Sequence, residues 1–323
     1  MSYFHLNLIL KGKLTVCCLL MLPAIPLNAQ REAKQIGDFK ESISLNEHLR
    51  GTKRTLQYRP DGDEFVCVNG KNRYTRALYG SHSPFRVETS DRPVFAFYNN
   101  GRGGNISFKV ILRDGTELAL DCTGHCESRY SAGKRTYYLT DPSWGKGELR
   151  ISVLALADMD GAIWRFSPSN MPKGAILRWQ HGGATGKRLS RNGDMGVDPA
   201  DCFELPVEAT DLVTGELPLQ KEVYLVRGEV PEDYNVRKLY QQAEAASLAL
   251  ASHLKIETPD PYLNTLGGAL VAAADGIWDG QVWLHGAIGW RMPLSGWRAG
   301  YTGDALGWHD RARTHFDAYA ASQ

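Results

Sequence analysis

Ile106-Ser-Phe-Lys-Val-Ile-Leu112 and Thr116-Glu-Leu-Ala-Leu120, with Asp114-Gly115 between them, decide the fold class of this chain. Both runs contain apolar and β-branched residues that favour strands. An Asp-Gly pair between two such runs is a strong signal for a tight turn. The sequence therefore predicts an antiparallel β-hairpin over residues 106–120.

The same strand-like pattern continues on both sides of this hairpin, with almost no helical periodicity. Further strands are predicted at residues 65–68, 136–139, 148–154, 162–166, 175–179 and 221–227. Asn69-Gly70, directly after the first of these, predicts another hairpin. Many short strands at near-regular spacing are typical of an antiparallel β-sandwich, which we expect to occupy residues 52–230.

From Pro231 onward the pattern becomes helical. Apolar residues recur every three or four positions from 234 to 254, as on one face of a helix. This periodicity predicts a linker helix within residues 231–258. Pro259-Asp260-Pro261 ends it, because proline disrupts a helix interior, and residues 263–277 predict a second helix.

A third helix is predicted from Thr302 or Asp304 to about Tyr319, with Thr302 or Gly303 near its N-cap. Five of the eight tryptophans fall in this part of the chain: Trp278, Trp283, Trp290, Trp297 and Trp308. Three helices cannot bury so much aromatic surface well, since a domain of this size buries only ~60% of its surface. We therefore expect residues 259–323 to begin a larger helical domain in a longer protein. The alternative is a short protein whose tryptophans cover the sandwich.

Residues 1–29 have the pattern of a secretory signal peptide. Lys11 and Lys13 precede an apolar run at 14–22, and the small residue Ala29 stands before polar sequence. The apolar run is shorter than the ~20 residues that span a bilayer. We expect cleavage near Ala29, export to the periplasm or cell surface, and a lead-in segment at residues 30–51.

Four cysteines would remain after cleavage: Cys67, Cys122, Cys126 and Cys202. In an oxidising compartment they allow three disulfide pairings, and free buried thiols are the alternative. Cys122-Thr-Gly-His125-Cys126 lacks the second pair of ligands that a zinc site needs. We expect no metal and no organic cofactor.

The composition limits the partners of this chain. Hydrophobic residues make up 43% and charged residues 23%, with a formal net charge of +1. These proportions are those of a globular protein and exclude disorder or a polytopic membrane protein. A near-neutral balance provides no long-range field that attracts nucleic acid or an anionic membrane, so we expect neither partner.

Residues 283–311 contain the candidate site, because aromatic residues alternate there with Arg, His and Asp. The C–H faces of a pyranose stack on aromatic rings, while its hydroxyls bind charged groups. The candidate sugar-binding residues are His285, Trp290, Trp297, Arg298 and Tyr301. The partner expected on this basis is a carbohydrate.

Asp304 is the candidate catalytic carboxylate. We expect it at a loop-to-helix junction, where the helix N-terminus favours the ionised form. Glycoside hydrolysis needs two carboxyl groups. Asp310 lies six residues further on, so the two side chains would point to different faces of one helix. A second acid is therefore expected from a later segment.

Gly300-Tyr-Thr-Gly-Asp304-Ala resembles the Gly-Trp-Thr-Gly-Asp-Ala stretch of bacterial α-L-rhamnosidases, whose catalytic domain is an (α/α)6 toroid. The order of sandwich, linker helix and Pro-Asp-Pro-x-Leu-Asn at 259–264 resembles six-hairpin glycosidases. The mature chain as a whole resembles exported Bacteroidota proteins of an uncharacterised family, domain of unknown function 4450, assigned to that superfamily. This resemblance implies a β-sandwich followed by the first helices of an (α/α)6 toroid.

The resemblance also implies roles for individual residues. Asp304 matches the aspartate that closes the rhamnosidase motif and contacts substrate. Trp297 stands where rhamnosidases have their proton-donating glutamate, and residues 291–295 lack the upstream aspartate. The resemblance therefore implies the same scaffold and a sugar-binding cleft for this chain. It does not imply rhamnosidase specificity, because these two acidic residues of the rhamnosidase motif are missing.

The function expected from the sequence is therefore that of an N-terminal part of an exported glycoside-hydrolase-like protein in carbohydrate metabolism. We expect this part alone to hydrolyse nothing. The alternative is a non-catalytic glycan-binding or structural β-sandwich protein. A six-hairpin lyase or phosphorylase would share the same architecture.

Overall fold

In the computed structural model, two antiparallel β-sheets precede a helical segment. The structure describes residues 57–70, 74–83, 85–99, 102–182, 212–231, 233–284 and 293–322. The predicted signal peptide, the lead-in segment and Cys202 lie outside these residues. All described residues belong to one compact unit, Gln57–Gln323.

The described residues contain fourteen strands, all in antiparallel pairs. The strands are β1 (Arg59–Asp61), β2 (Glu64–Val68), β3 (Tyr74–Tyr79), β4 (Arg86–Ser90), β5 (Phe95–Asn99), β6 (Arg102–Ile111), β7 (Glu117–Ala119), β8 (His125–Ser131), β9 (Lys134–Thr140), β10 (Glu148–Ala155), β11 (Gly161–Ser169), β12 (Ile176–Gly182), β13 (Val213–Pro218) and β14 (Val223–Gly228). The first sheet has the order β1-β2-β8-β9-β10-β11-β14. The second has the order β13-β12-β6-β5-β4-β3, with β7 paired to β6.

The main core lies between the two sheets. Alternate residues of a strand point to opposite faces, so Leu149, Ile151 and Val153 of β10 are all buried on one face. From the second sheet, Phe95 meets Trp164 of the first sheet at a ring-centroid distance of 5.6 Å, nearly edge to face. The predicted sandwich-like arrangement of two antiparallel sheets is confirmed.

The predicted hairpin at residues 106–120 is confirmed. β6 pairs with β7 in the register Lys109↔Ala119. At the turn, Thr116 N donates to the Asp114 side chain over 2.9 Å, and Gly115 has a φ of 88°. The local Asp-Gly signal therefore places this turn correctly.

The hairpin predicted at Asn69-Gly70 is wrong. β2 pairs with β1 and β8, while β3 lies in the second sheet. Asn69 does have a left-handed φ of 50°, but its side chain accepts from Cys126 N over 2.9 Å and so extends the pairing with β8. A Cβ at Gly70 would overlap the Asp91 side chain. The hairpin in this region is β1–β2, with Gly62 and Asp63 between Asp61 and Glu64.

Four helices follow the sheets in the described part of the chain: α1 (Val236–Ala251), α2 (Pro261–Gly276), α3 (Pro293–Ala305) and α4 (His309–Ala320). α1 and α2 confirm the first two predicted helices to within a few residues. Both begin at side-chain caps: Asn235 accepts from Lys238 N over 3.0 Å, and Asp260 accepts from Tyr262 N over 2.8 Å.

The third predicted helix is wrong at its start, because two helices occupy this region. Thr302 and Gly303 lie inside α3 rather than at an N-cap. Gly307, with a φ of 80°, ends α3, and Trp308 N donates back to Gly303 O over 2.9 Å. A glycine in the left-handed conformation is a common helix stop, since it carries no Cβ.

Two helices contact the sheets directly. Tyr240 and Ala243 of α1 pack on Leu154 and Ile163 of the first sheet. Thr265 of α2 donates to Gly62 O in the β1–β2 turn over 2.9 Å. None of the helices in the described ranges is long and apolar enough to cross a membrane.

Candidate functional site

The predicted sugar-binding residues fall into two groups. His285 and Trp290 lie outside the described residues, as does the side chain of Trp297. Arg298 and Tyr301 are exposed on α3, three residues apart and hence close to the same face of the helix. Tyr301 is one of the exposed large apolar residues, and 57% of its surface is accessible to solvent.

Asp304 continues this face, one turn after Tyr301, but its helical environment differs from the expectation. It lies in the last turn of α3, not at a helix N-terminus. The C-terminal end of a helix carries a partial negative charge, so it does not favour a carboxylate there. The loop-to-helix position predicted for Asp304 is therefore wrong.

The hydrogen-bonding partner of Asp304 is His309, the first residue of α4. The Nδ1 atom of His309 lies 2.6 Å from Asp304 Oδ1. The Asp304 side chain is 60% exposed and the His309 side chain is 69% exposed. This contact bridges the short turn between α3 and α4. We call Arg298, Tyr301, Asp304 and His309 the α3 face.

The tryptophans described in the structure are packing residues. Trp283 is buried, 4.6 Å from the Trp278 ring centroid, and stacks on Trp308 at 6.4 Å. Its indole donates to Ala274 O over 2.9 Å, and its backbone N donates to the buried His315 over 3.0 Å. These rings form the core of the helical segment.

A second group of polar residues, which the sequence did not predict, lies between the sandwich and the helices. His82 comes from the β3–β4 loop, Asp275 from the last turn of α2 and Arg311 from the first turn of α4. His82 Nε2 lies 3.1 Å from Asp275 Oδ1, and Arg311 Nη1 lies 2.7 Å from the same oxygen. We call these three residues the junction cluster.

The junction cluster is held in place by aromatic rings. The Arg311 guanidinium lies 4.8 Å from the ring centroid of Trp308 and 5.8 Å from that of Trp278. Such cation–π contacts fix the direction of the planar guanidinium. The tryptophan core of the helices therefore positions a charged group at the boundary with the sandwich.

The Asp275 carboxylate is ionised more readily than an ordinary aspartate, although its side chain is only 14% exposed. Burial by itself raises the pKa of this carboxyl. The hydrogen bonds and positive charge of His82 and Arg311 outweigh burial, and they lower the pKa below its ordinary value of 3.8. Asp275 is thus a partly buried carboxylate that stays charged.

A cavity of about 250 Å³, which we call the junction cavity, adjoins this cluster. The junction cluster forms part of its wall, and Tyr79 and Tyr130 line it from the sandwich. Six alanines leave the space open: Ala77, Ala155, Ala157, Ala243, Ala246 and Ala272. Burial raises the pKa of Tyr79, so its phenol remains a hydrogen-bond donor.

Sequence reasoning missed this site because its members are far apart in the chain. His82 and Asp275 are 193 residues apart, and Asp275 and Arg311 are 36 apart. One signal was present: Asp275 is the one charged residue in α2, whose sequence is otherwise apolar or neutral. A lone charge in such a helix needs a partner if it is buried.

The cysteines supply no metal site within the described ranges, where no group of three or more His, Cys, Asp or Glu is placed to hold an ion. Cys67 and Cys126 are buried, Cys122 is exposed, and all three are free thiols. No disulfide therefore joins these three residues.

Residues 100–229 match the model of a family described as "Domain of unknown function (DUF4450)". The matched region runs through β6 to β14 and thus covers most of the sandwich. No curated protein matches the chain. The match agrees with the domain that the sequence resembles, and its description names no activity.

Proposed function

We propose that this chain is the N-terminal part of an exported glycoside-hydrolase-like protein that acts in carbohydrate metabolism. The α3 face is the observation that carries this proposal. It presents an exposed aromatic ring, Tyr301, one helical turn from the carboxylate of Asp304, with the guanidinium of Arg298 one turn before it. A sugar ring needs this combination of an apolar face and charged hydrogen-bond partners.

In this proposal each residue of the α3 face has a separate role. Tyr301 stacks on the C–H face of the sugar, and Arg298 donates to its hydroxyls. Asp304 accepts from a hydroxyl or assists proton transfer, and His309 orients the carboxylate through the 2.6 Å contact. Hydrolysis also needs a second carboxyl group, which we assign to a segment other than α3 and α4.

The scaffold proposed for this function is the beginning of an (α/α)6 toroid. Its support is the apolar surface that α1 and α2 leave open to solvent, with Leu248, Leu263 and Leu270 all exposed. Three exposed leucines on two neighbouring helices support a contact of these helices with further elements. Further helices of a toroid would cover these leucines.

The experiment compares two variants of the full-length protein produced from its natural gene, assayed on a panel of polysaccharides and aryl glycosides. Asp304→Asn is expected to lower kcat/KM at least about 100-fold, since general acid–base groups contribute 10²–10⁴-fold. Asp310→Asn is the matched control, because Asp310 is an exposed carboxylate on the neighbouring helix. Its kcat/KM is expected to stay within about twofold of the parent. Full activity in Asp304→Asn, or no glycan turnover by the full-length protein, contradicts the proposal.

A second candidate function, non-catalytic glycan binding by the sandwich, has its own supporting observation. Tyr138 is 38% exposed on the outer face of the first sheet. The guanidiniums of Arg129 and Arg150 lie 5.9 Å and 5.4 Å from its ring centroid. Glycan binding without turnover that is lost in Tyr138→Ala and kept in Tyr301→Ala would favour this candidate.

A further inference from the structure

We infer that the junction cavity is a binding site for a neutral ligand of monosaccharide size that presents two adjacent hydroxyl groups. This site is separate from the α3 face, and the inference does not depend on the function proposed for that face. It follows from the space, the hydrogen-bonding groups and the charge balance of the cavity.

The space sets the size of the ligand. Drug-sized ligands occupy pockets of ≈ 300–1,000 Å³, so about 250 Å³ suits a single small ring. Most of the wall consists of alanines together with Gly80 and Gly133, and these short side chains keep the cavity open. Leucine or methionine at the same positions would fill it.

The polar side chains of the cavity wall have hydrogen-bonding groups that they do not use within the described residues. Asp275 Oδ1 accepts from both His82 and Arg311, whereas its Oδ2 accepts from no residue that the structure describes. A carboxylate has about four lone-pair sites, and a guanidinium has five N–H donors. Arg311 uses one nitrogen, Nη1, for Asp275, so further N–H groups are left for a ligand.

Tyr79 adds a third group. Its hydroxyl makes no hydrogen bond to any residue within the described ranges, and the residue lines the cavity. Its ring is fixed against α2, where a Cβ at Gly276 would overlap it. The phenol can both donate and accept.

The charge balance sets the class of ligand. Asp275 and Arg311 carry opposite charges and form an ion pair, so together they provide no net charge that would favour an anion or a cation. A hydroxyl group carries no charge, and it can donate to a carboxylate and accept from a guanidinium at the same time. Two adjacent hydroxyls therefore match Asp275 Oδ2 and the remaining donors of Arg311.

The test measures binding of D-glucose and L-rhamnose to the full-length protein by saturation-transfer NMR and calorimetry. Cyclohexanol is the control ligand, because it has a ring of similar size with one hydroxyl group. We expect Kd values of about 1–10 mM for at least one of the two sugars and weaker binding of cyclohexanol by about tenfold or more.

Two variants locate the binding. Asp275→Asn removes the carboxylate, and Ala246→Met fills the cavity while leaving the three residues of the junction cluster in the sequence. Each is expected to weaken sugar binding by about tenfold or more, while Asp310→Asn stays within about twofold. If Asp275→Asn does not fold, Ala246→Met decides the test on its own.

Three outcomes would overturn the inference. They are no binding of either sugar up to about 50 mM, equal binding of cyclohexanol, and sugar binding that survives both cavity variants. Binding that is lost in Asp304→Asn and kept in Ala246→Met would assign the sugar to the α3 face. That result would support the function proposed for the α3 face and refute the binding site in the junction cavity. The experiment therefore distinguishes a failure of one proposal from a failure of the other.

Discussion

Arg311 Nη1 donates to Asp275 Oδ1 over 2.7 Å, and this bond joins the first turn of α4 to the last turn of α2. The same oxygen contacts His82 of the sandwich at 3.1 Å. One carboxylate thus connects three segments that are distant in sequence. It adds a charged contact to the apolar packing of α1 on the first sheet and to the hydrogen bond from Thr265 of α2 to Gly62.

The first prediction concerns stability. Asp275→Asn is expected to lower the free energy of unfolding by about 2 kcal/mol, because a hydrogen bond to a charged group contributes ≈ 1.5–3 kcal/mol. Urea unfolding followed by far-UV circular dichroism measures the change. Asp310→Asn, with its exposed 3.4 Å contact to Arg313, should change stability by less than about 0.5 kcal/mol. Equal effects of the two variants would show that the junction cluster has no special role.

The second prediction concerns pH. The groups that face Asp275 are His82 from the sandwich and Arg311 from α4, and they lower its pKa below 3.8 despite burial. The unfolded chain therefore binds more protons than the native state around this pH, and stability falls on acidification. The contribution of Asp275 is complete above its ordinary pKa and is lost as the pH falls through the lower pKa of the native state.

The measurement for this pH dependence is the difference in unfolding free energy between the parent and Asp275→Asn from about pH 7 to about pH 2. We expect the difference to shrink below pH 3.8, where the ordinary carboxyl begins to protonate. A difference that grows on acidification would mean that the sign of the pKa shift is wrong.

The third prediction concerns the close approach of α3 to the tryptophan core. A Cβ at Gly303 would overlap the Trp283 ring. Alanine normally stabilises a helix by about 1 kcal/mol relative to glycine. Gly303→Ala is nevertheless expected to destabilise the protein by about 1–2 kcal/mol, because overpacking costs 1–3 kcal/mol.

Thermal unfolding and tryptophan fluorescence would detect the change in Gly303→Ala. The exposed neighbour Thr302→Ala is the control on the same helix and should change stability by less than about 0.5 kcal/mol. Stabilisation by Gly303→Ala would show that α3 does not pack on Trp283 in this way.

The fourth prediction concerns thiol reactivity. Burial raises the pKa of Cys126 to about 12, although the positive charges of Arg92 and Arg135 act in the opposite direction. Burial also raises the pKa of Cys122, so accessibility decides the order of reaction. Iodoacetamide at about pH 8 should label the exposed Cys122 and leave the buried Cys67 and Cys126 unmodified.

Peptide mass spectrometry of the labelled native protein checks this order, with a urea-unfolded sample as the control in which all three residues react. Labelling of Cys126 as fast as Cys122 in the native protein would show that the interior of the sandwich opens readily.

The sequence by itself predicted the features that depend on neighbouring residues. Asp114-Gly115 defines the β6–β7 turn because its backbone and side-chain preferences act over four residues. The helix predicted at residues 263–277 begins at Pro261, two residues earlier, because Asp260 caps it. The alternation of apolar residues in β10 likewise fixes which side chains face the core.

Features that depend on distant partners were decided by the tertiary structure alone. Asn69-Gly70 has the composition of a hairpin turn, but its bonds to Cys126 continue the pairing with β8, and β3 joins the other sheet. Turn and cap preferences extend over only a few residues, so they cannot specify these partners.

The junction cluster is the clearest case of this difference. The sequence determined that Asp275 is a lone charge in an apolar helix, and that Arg311 lies three residues after Trp308. Only the packing of α2 and α4 against the β3–β4 loop brings their charges together with His82. The physical reason is that a buried charged side chain requires an oppositely charged side chain close to it in the folded structure. The order of residues along the chain does not show which charged side chain that is.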